Sequence, residues 1–265
     1  MRAFLVLATI LVPAISPVAG TVSADPGDGK TVVELFTSQS CYSCPPAEAY
    51  LGELAERGDV IALEYHVDYW DDLVYGVAGR WKDVFSSPAN TERQRRYNRN
   101  IRRSDGVYTP QMVIDGRAEA AGTRRDAVET TIRRVADDVR PRLEVAVTRE
   151  PDGGLSVAVE GPATGRATEI ASTGPAALWL VRFERARVTR VKAGENKDKT
   201  LTNHHVVTGL TRIGPWSGKA TAIRLADIAL SPDEGCAVLV QDDRQGPILG
   251  AAPCPPAMDK QTRLR

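Results

Sequence analysis

The stretch TVVELFTSQSCYSCPPAEAY, residues 31–50, places two cysteines between an apolar run and a helical pattern. Residues 32–36 are rich in β-prone side chains, and a polar turn ends the run. Apolar residues then recur at spacings of three and four over residues 47–54, which predicts a helix with Glu48 on its opposite, polar side. The two prolines after the second cysteine mark the first helical turn, where a missing backbone N–H costs little.

Both cysteines lie where a helix dipole acts on them. Ser43 is the predicted N-cap, so Cys41 stands just ahead of the helix and Cys44 on its first turn. The positive end of the dipole stabilises a thiolate and lowers the thiol pKa. Cys41 is therefore the predicted attacking sulfur, with Ser43 as a hydrogen-bond donor to it. Cys44 is predicted to resolve the mixed disulfide.

This strand, turn, Cys-x-x-Cys and helix resemble the active-site segment of the thioredoxin superfamily. With its prolines, FTSQSCYSCPPAEAYL is similar to a bacterial secreted thioredoxin-like family catalogued as a domain of unknown function. The resemblance implies a thioredoxin-like fold and a redox motif, but no substrate. It also implies that Thr109 and Pro110, before a short predicted strand, form a cis-proline edge facing the cysteines, where a substrate strand can pair.

Three further side chains are candidate proton partners. The resemblance implies a carboxylate in the first strand near the resolving cysteine, and Glu34 either fills that role or is an ordinary edge charge. Alternation along the second predicted strand, residues 60–70, puts Glu64, His66 and Asp68 on one face. A parallel crossover brings the end of that strand near Cys41, so His66 and Asp68 are candidates for proton handling. The alternative is a solvated polar face.

The order of elements predicts an α/β thioredoxin-like domain over residues 31–140, followed by an all-β, sandwich-like C-terminal domain over residues 141–265. In the second part, short strands alternate with Gly and Pro turns, and residues 194–216 are the least regular segment. Cys236 and Cys254 flank a predicted hairpin, which favours a structural disulfide between them.

Two other segments admit a structural and a functional interpretation. The loop of residues 71–87 carries large aromatic side chains and either packs on the domain or covers a site as a lid. The arginine-rich helix of residues 88–101 is either a solvated face or a patch for an acidic partner. Neighbouring His204 and His205 alternate across a strand, so the sequence predicts no metal site.

The N-terminus predicts export. Residues 1–24 read as a signal peptide with a cleavage site before Asp25, and residues 25–30 as a short leader; a retained membrane anchor is the alternative. No later segment predicts a membrane span. A periplasmic or secreted location is therefore expected.

The 34 basic and 34 acidic residues balance one another, and this balance gives no argument for nucleic acid as a partner.

The sequence thus predicts an exported thiol-disulfide oxidoreductase, whose substrate is a protein or a small thiol or disulfide. A redox partner protein is possible, and no cofactor is expected besides the redox-active disulfide. One alternative is a binding or scaffold module in which the Cys41–Cys44 disulfide only fixes a loop. Another is delivery of a soft metal such as Cu(I) by the two thiolates.

Overall fold

The computed structural model describes residues 29–138, 142–160, 175–226 and 228–256. The predicted signal peptide, most of the leader and the predicted boundary at residues 140–141 lie outside these ranges. Within the described ranges, no helix is both long enough and apolar enough to cross a membrane.

The described residues form a mixed α/β structure with few helices. In the first half, the elements are β1 (Thr31–Thr37), α1 (Pro45–Ala55), β2 (Val60–His66), α2 (Pro88–Tyr97), which continues into a π-helical turn (Asn98–Arg102), β3 (Gln111–Ile114), β4 (Ala118–Ala121) and α3 (Arg125–Ala136). In the second half, they are β5 (Glu144–Arg149), β6 (Leu155–Glu160), β7 (Ala176–Arg190), β8 (Thr200–Trp216), β9 (Thr221–Leu225), β10 (Glu234–Asp242) and β11 (Ile248–Pro253).

Strands from both halves of the chain share one sheet. Its order is β11-β10-β7-β8-β2-β1-β3-β4, and β5, β6 and β9 form a separate three-stranded antiparallel sheet. β1 and β2 are parallel, as the strand-helix-strand pattern predicts, and β8 also runs parallel to β2. The prediction that the strands after residue 140 form an all-β unit of their own was therefore wrong. The β2–β8 pairing joins residues distant in sequence, and local periodicity carries no sign of it.

Residues 194–216 are also more regular than predicted, because residues 200–216 form the longest strand, β8. The period-2 pattern is broken by register shifts at two points of the β7–β8 pair and by a positive φ of 51° at His205. Such irregularities move side chains to the opposite face, so a strand that contains them does not show a regular alternating pattern in sequence.

The two faces of the large sheet bury different helices. Val33 and Leu35 of β1 pack with apolar residues of α1 and α3, whereas Val32 and Phe36 pack with Tyr97 of α2 on the other face. A third cluster joins the small sheet to β7 and β10. The N-terminus of α1 lies near the carboxyl ends of the two parallel strands β1 and β2.

Candidate functional site

A disulfide joins Cys41 and Cys44 at the start of α1. Cys44 itself is the N-cap and makes no side-chain capping bond, so the prediction of Ser43 as the cap was wrong by one residue. The Ser43 hydroxyl instead lies 3.5 Å from the Cys41 sulfur. Neither cysteine has any exposed surface. The disulfide is thus set at the positive end of a helix but shielded from solvent.

Pro110 lies close to the first turns of α1. The Thr109–Pro110 peptide bond is cis, as the resemblance implies. Gly122 donates its backbone N–H to the Pro110 carbonyl at 2.9 Å. A Cβ atom at Gly122 would stand 3.0 Å from that of Ala47 and 3.2 Å from that of Pro110. The glycine therefore leaves the space in which Pro110 approaches the helix.

A buried carboxyl group lies one helical turn beyond Cys44. Glu48 is almost fully buried, and Thr37 donates a 2.7 Å hydrogen bond to it. Burial, reinforced by the nearby Glu64 carboxylate, raises the pKa of Glu48 from 4.5 to about 8. The helical pattern placed Glu48 on the polar side of α1, and that prediction was wrong. Its side chain packs against the carboxyl ends of β1 and β2, where a neutral carboxyl group holds a proton near neutral pH.

His66 lies between two carboxylates in the same buried region. Its Nδ1 is 2.7 Å from Asp83, and its Nε2 is 3.3 Å from Glu64. Burial opposes the charge on the imidazole, but Asp83 and then Glu64 outweigh it and raise the pKa of His66 well above 6.5. Burial likewise opposes the charge on Asp83, yet the imidazolium lowers the pKa of that carboxyl. We call Glu48, Glu64, His66 and Asp83 the proton cluster.

Two of the predicted proton partners do not join this cluster. Glu34 is buried, but it points to the opposite face of β1 from α1, where Arg93 donates to it at 2.8 Å and Tyr97 donates to its other oxygen. Asp68 lies beyond the end of β2, so the strand alternation no longer fixes its direction. It accepts a 2.5 Å hydrogen bond from Thr91. These hydrogen-bond partners of both side chains thus belong to α2, on the other side of β1 from α1.

The aromatic loop of residues 71–87 borders the cysteine turn. Trp81 donates its indole N–H to Gln39 at 3.1 Å, and its carbonyl accepts from Ser40 at 2.8 Å. Asp83 accepts the Gln39 backbone N–H at 2.7 Å, so the loop also supplies one member of the proton cluster. Among the described residues, the exposed large apolar side chains are Tyr42, Leu73, Val74, Val77, Val84 and Val188, four of them in this loop.

The turn between β7 and β8 also reaches the cysteines, which no pattern in its residues predicted. Asn196 is fully buried and donates to the carbonyls of Gln39 and Cys41. Glu195 accepts the backbone N–H of Tyr42 at 2.8 Å. On the same hairpin, Asn203 donates to Glu64 of the proton cluster at 2.8 Å.

The remaining predicted residues lie away from the carboxyl ends of β1 and β2. A disulfide joins Cys236 and Cys254 across the β10–β11 pair, as predicted, and the Cys254 N–H donates to the Cys236 carbonyl at 2.8 Å. His205 binds the carbonyl of Ala62 at 3.0 Å, while His204 lies against Gly52. Over the described ranges, no group of three or more His, Cys, Asp or Glu side chains is arranged to hold a metal ion.

Residues 32–241 match the family described as "Protein of unknown function (DUF1223)". A crystal structure of a protein from Agrobacterium tumefaciens is similar to this chain at 31% identity, with a TM-score of 0.70, over 85% of this chain and 94% of that one. The protein HBP35 of Porphyromonas gingivalis shares the fold alone, at 15% identity and a TM-score of 0.54, over 88% of this chain and 76% of that one. No curated protein matches.

Proposed function

Because the chain belongs to the DUF1223 family of unknown function, we propose an activity from its own residues: it is an exported thiol-disulfide oxidoreductase built on a thioredoxin-like fold. One observation carries the proposal. The Cys41–Cys44 disulfide stands at the N-terminus of α1, and a buried carboxyl group whose pKa is about 8 lies one helical turn away. This combination suits a redox pair, since one sulfur must leave as a thiolate and take up a proton.

The exchange begins at Cys41. A substrate thiolate attacks its sulfur, the Cys41–Cys44 bond breaks, and the electron pair passes to the Cys44 sulfur. Glu48 follows Cys44 by four residues on one helix face and is largely protonated near neutral pH, so it is the proton donor that we assign to Cys44.

The second substrate thiol then attacks the substrate sulfur of the mixed disulfide and releases Cys41. The proton that the first substrate thiol lost on ionising returns to Glu48, so two electrons and two protons have passed from the substrate dithiol to the cysteine pair. The reverse sequence reduces a substrate disulfide. His66 contacts Asp83 and Glu64. It neutralises charge between Asp83 and Glu64 and thereby limits the rise in the pKa of Glu48.

The surroundings of the disulfide support a polypeptide substrate. Pro110 and Ala47 of α1 both lie beside Gly122, and we assign Thr109 and Pro110 to a backbone edge on which a substrate strand pairs. The exposed apolar side chains of the 71–87 loop and Tyr42 supply contacts for apolar residues. Export is supported by two disulfides, which form and persist in oxidising compartments.

A second function remains in competition because of one observation, the complete burial of both cysteines. A disulfide without exposed surface is typical of a structural staple. In that case the protein is a binding module, and Cys41–Cys44 only fixes the turn before α1.

Trapping of mixed disulfides separates the two functions. The full chain carrying Cys44→Ala is produced in a bacterium that exports it, thiols are blocked with acid and alkylating agent, and adducts are resolved on non-reducing gels. The oxidoreductase predicts discrete adducts that are absent from the matched Cys41→Ala/Cys44→Ala chain. If both chains run identically, the proposed activity is wrong and the binding module is supported.

A further inference from the structure

The turn between β7 and β8 holds the cysteine loop through a single amide group. The Asn196 Nδ2 donates to the Gln39 carbonyl at 2.9 Å and to the Cys41 carbonyl at 2.9 Å. Asn196 has no exposed surface, although its neighbours Glu195 and Lys197 are exposed. One buried side chain thus ties two backbone carbonyls of the disulfide loop to a distant part of the chain.

Two exposed residues of the same turn bind the tip of the loop. Glu195 accepts the Tyr42 backbone N–H at 2.8 Å. The Lys199 ammonium group lies 4.3 Å from the centroid of the Tyr42 ring and donates to Asn196 Oδ1 at 2.9 Å. Tyr42 stands between the two cysteines in sequence, so these contacts hold the loop from outside while Asn196 holds it from within.

The Cys41–Cys44 disulfide is not accessible to solvent. Thiol-disulfide exchange requires a thiolate to reach a sulfur atom, and neither Cys41 nor Cys44 has exposed surface. Gly194, which begins the turn, has a φ of +76° and donates to the Ala78 carbonyl at 2.9 Å. The turn therefore contacts both the aromatic loop and the cysteine loop.

We propose that residues 194–199 form a gate over the Cys41–Cys44 disulfide and that Asn196 is the positioning residue that keeps it closed. The biological use of the gate rests on the proposed oxidoreductase function. The effect of the gate on access to the disulfide is independent of that function, and the rate of reduction by a small thiol measures it.

Reduction by dithiothreitol tests the gate on the full mature chain. One dithiothreitol thiolate attacks Cys41, the Cys41–Cys44 bond breaks towards Cys44, and the second thiol closes the dithiothreitol ring, so two electrons and two protons pass to the cysteine pair. Samples taken over time at neutral pH are alkylated, and mass spectrometry follows each disulfide separately. Cys236–Cys254 serves as the internal reference within the same molecule.

Two variants and one control give the contrast. Asn196→Ala removes the amide, and Asn196→Asp keeps its size but replaces the donor with oxygen facing two carbonyls. We expect both to speed reduction of Cys41–Cys44 at least tenfold, with the rate at Cys236–Cys254 unchanged. Lys192→Ala, at an exposed residue outside the gate, is expected to stay within twofold of the unmodified chain.

An unchanged Cys41–Cys44 rate in Asn196→Asp overturns the proposal, as does an equal rise at both disulfides, which would indicate general loosening. If the Asn196 variants do not fold, Glu195→Ala removes only the acceptor of Tyr42 on an exposed residue. We then expect about a threefold rise, and no change refutes the gate. Faster reduction without any trapped adducts would support the gate and reject the oxidoreductase; adducts with unchanged reduction would do the reverse.

Discussion

The protonation of Glu48 gives the sharpest test of the proton cluster. Its pKa is 4.5 in a solvated chain and about 8 in the folded protein, because burial and the Glu64 carboxylate disfavour the charged form. Since the folded pKa is the higher one, the stability associated with the bound proton is fully present below pH 4.5. It is lost as the pH rises through about 8.

Glu48→Gln removes this titration while retaining the oxygen that accepts from Thr37. Between about pH 5.5 and about 7.5 the folded wild type holds the proton and the unfolded chain does not, so its stability falls by up to about 1.4 kcal/mol per pH unit. The variant lacks this loss. Its free energy of unfolding relative to the wild type should therefore rise by about 2 kcal/mol across that interval.

The assay is guanidinium unfolding of the oxidised proteins at several pH values. Glu53→Gln is the matched control, because Glu53 is exposed on the same helix and Arg125 lowers the pKa of its carboxyl. The stability difference between this control and the wild type should not change over the interval. A Glu48→Gln difference that is equally flat would mean that Glu48 is already ionised in the folded protein, and the proposed proton donor would be wrong.

Three further predictions concern packing. Arg93→Met leaves Glu34 buried without its cation and should lower the free energy of unfolding by about 3–5 kcal/mol in urea titrations. Replacing both Cys236 and Cys254 with serine opens a loop of sequence separation 18 and should cost about 3 kcal/mol in the same assay, with the Cys41–Cys44 disulfide still formed by mass. Gly122→Ala places a methyl group against Pro110 and α1, and should lower stability by about 1–3 kcal/mol in thermal melts.

Each of these has a result that would contradict it. Arg96→Met, on the same helix but at an exposed ion pair with Glu92, should change stability by about 0.5 kcal/mol or less; a similar loss in both arginine variants rejects the buried-pair argument. Unchanged stability without the second disulfide would mean that β10 and β11 need no staple. A Gly122→Ala chain as stable as the wild type would show that Pro110 and α1 are less closely packed than described.

The local part of the site was predictable from sequence. The β1–turn–α1 order, the Cys41–Cys44 pair and the position of His66 follow from periodicity, proline placement and strand alternation. The direction of Glu34 was not predictable, because alternation assigns it to a face without saying which helix covers that face. The direction of the Asp68 side chain was not predictable for a related reason: β2 ends at His66, and the alternation of side chains ends with the strand.

The other half of the site depends on contacts distant in sequence. Glu48 fits the polar side of α1 in a helical pattern, and only the packing of that helix over β1 and β2 shows that it is buried. Asn196 lies in a polar turn with no distinguishing feature, and it reaches Cys41 because β8 pairs with β2. A single sequence carries no signal for such pairings, although a buried asparagine in a hairpin turn is recognisable once the strands are placed.

Equilibration in glutathione buffers tests whether Cys41 and Cys44 form a reversible redox pair. The purified chain is incubated across a series of potentials, alkylated and analysed by mass. We expect a two-electron transition of Cys41–Cys44 at a potential above about −300 mV, while Cys236–Cys254 stays oxidised in the same samples. A Cys41–Cys44 disulfide that stays oxidised throughout, after equilibrium has been shown from both directions, would mean that the two cysteines are not a redox pair.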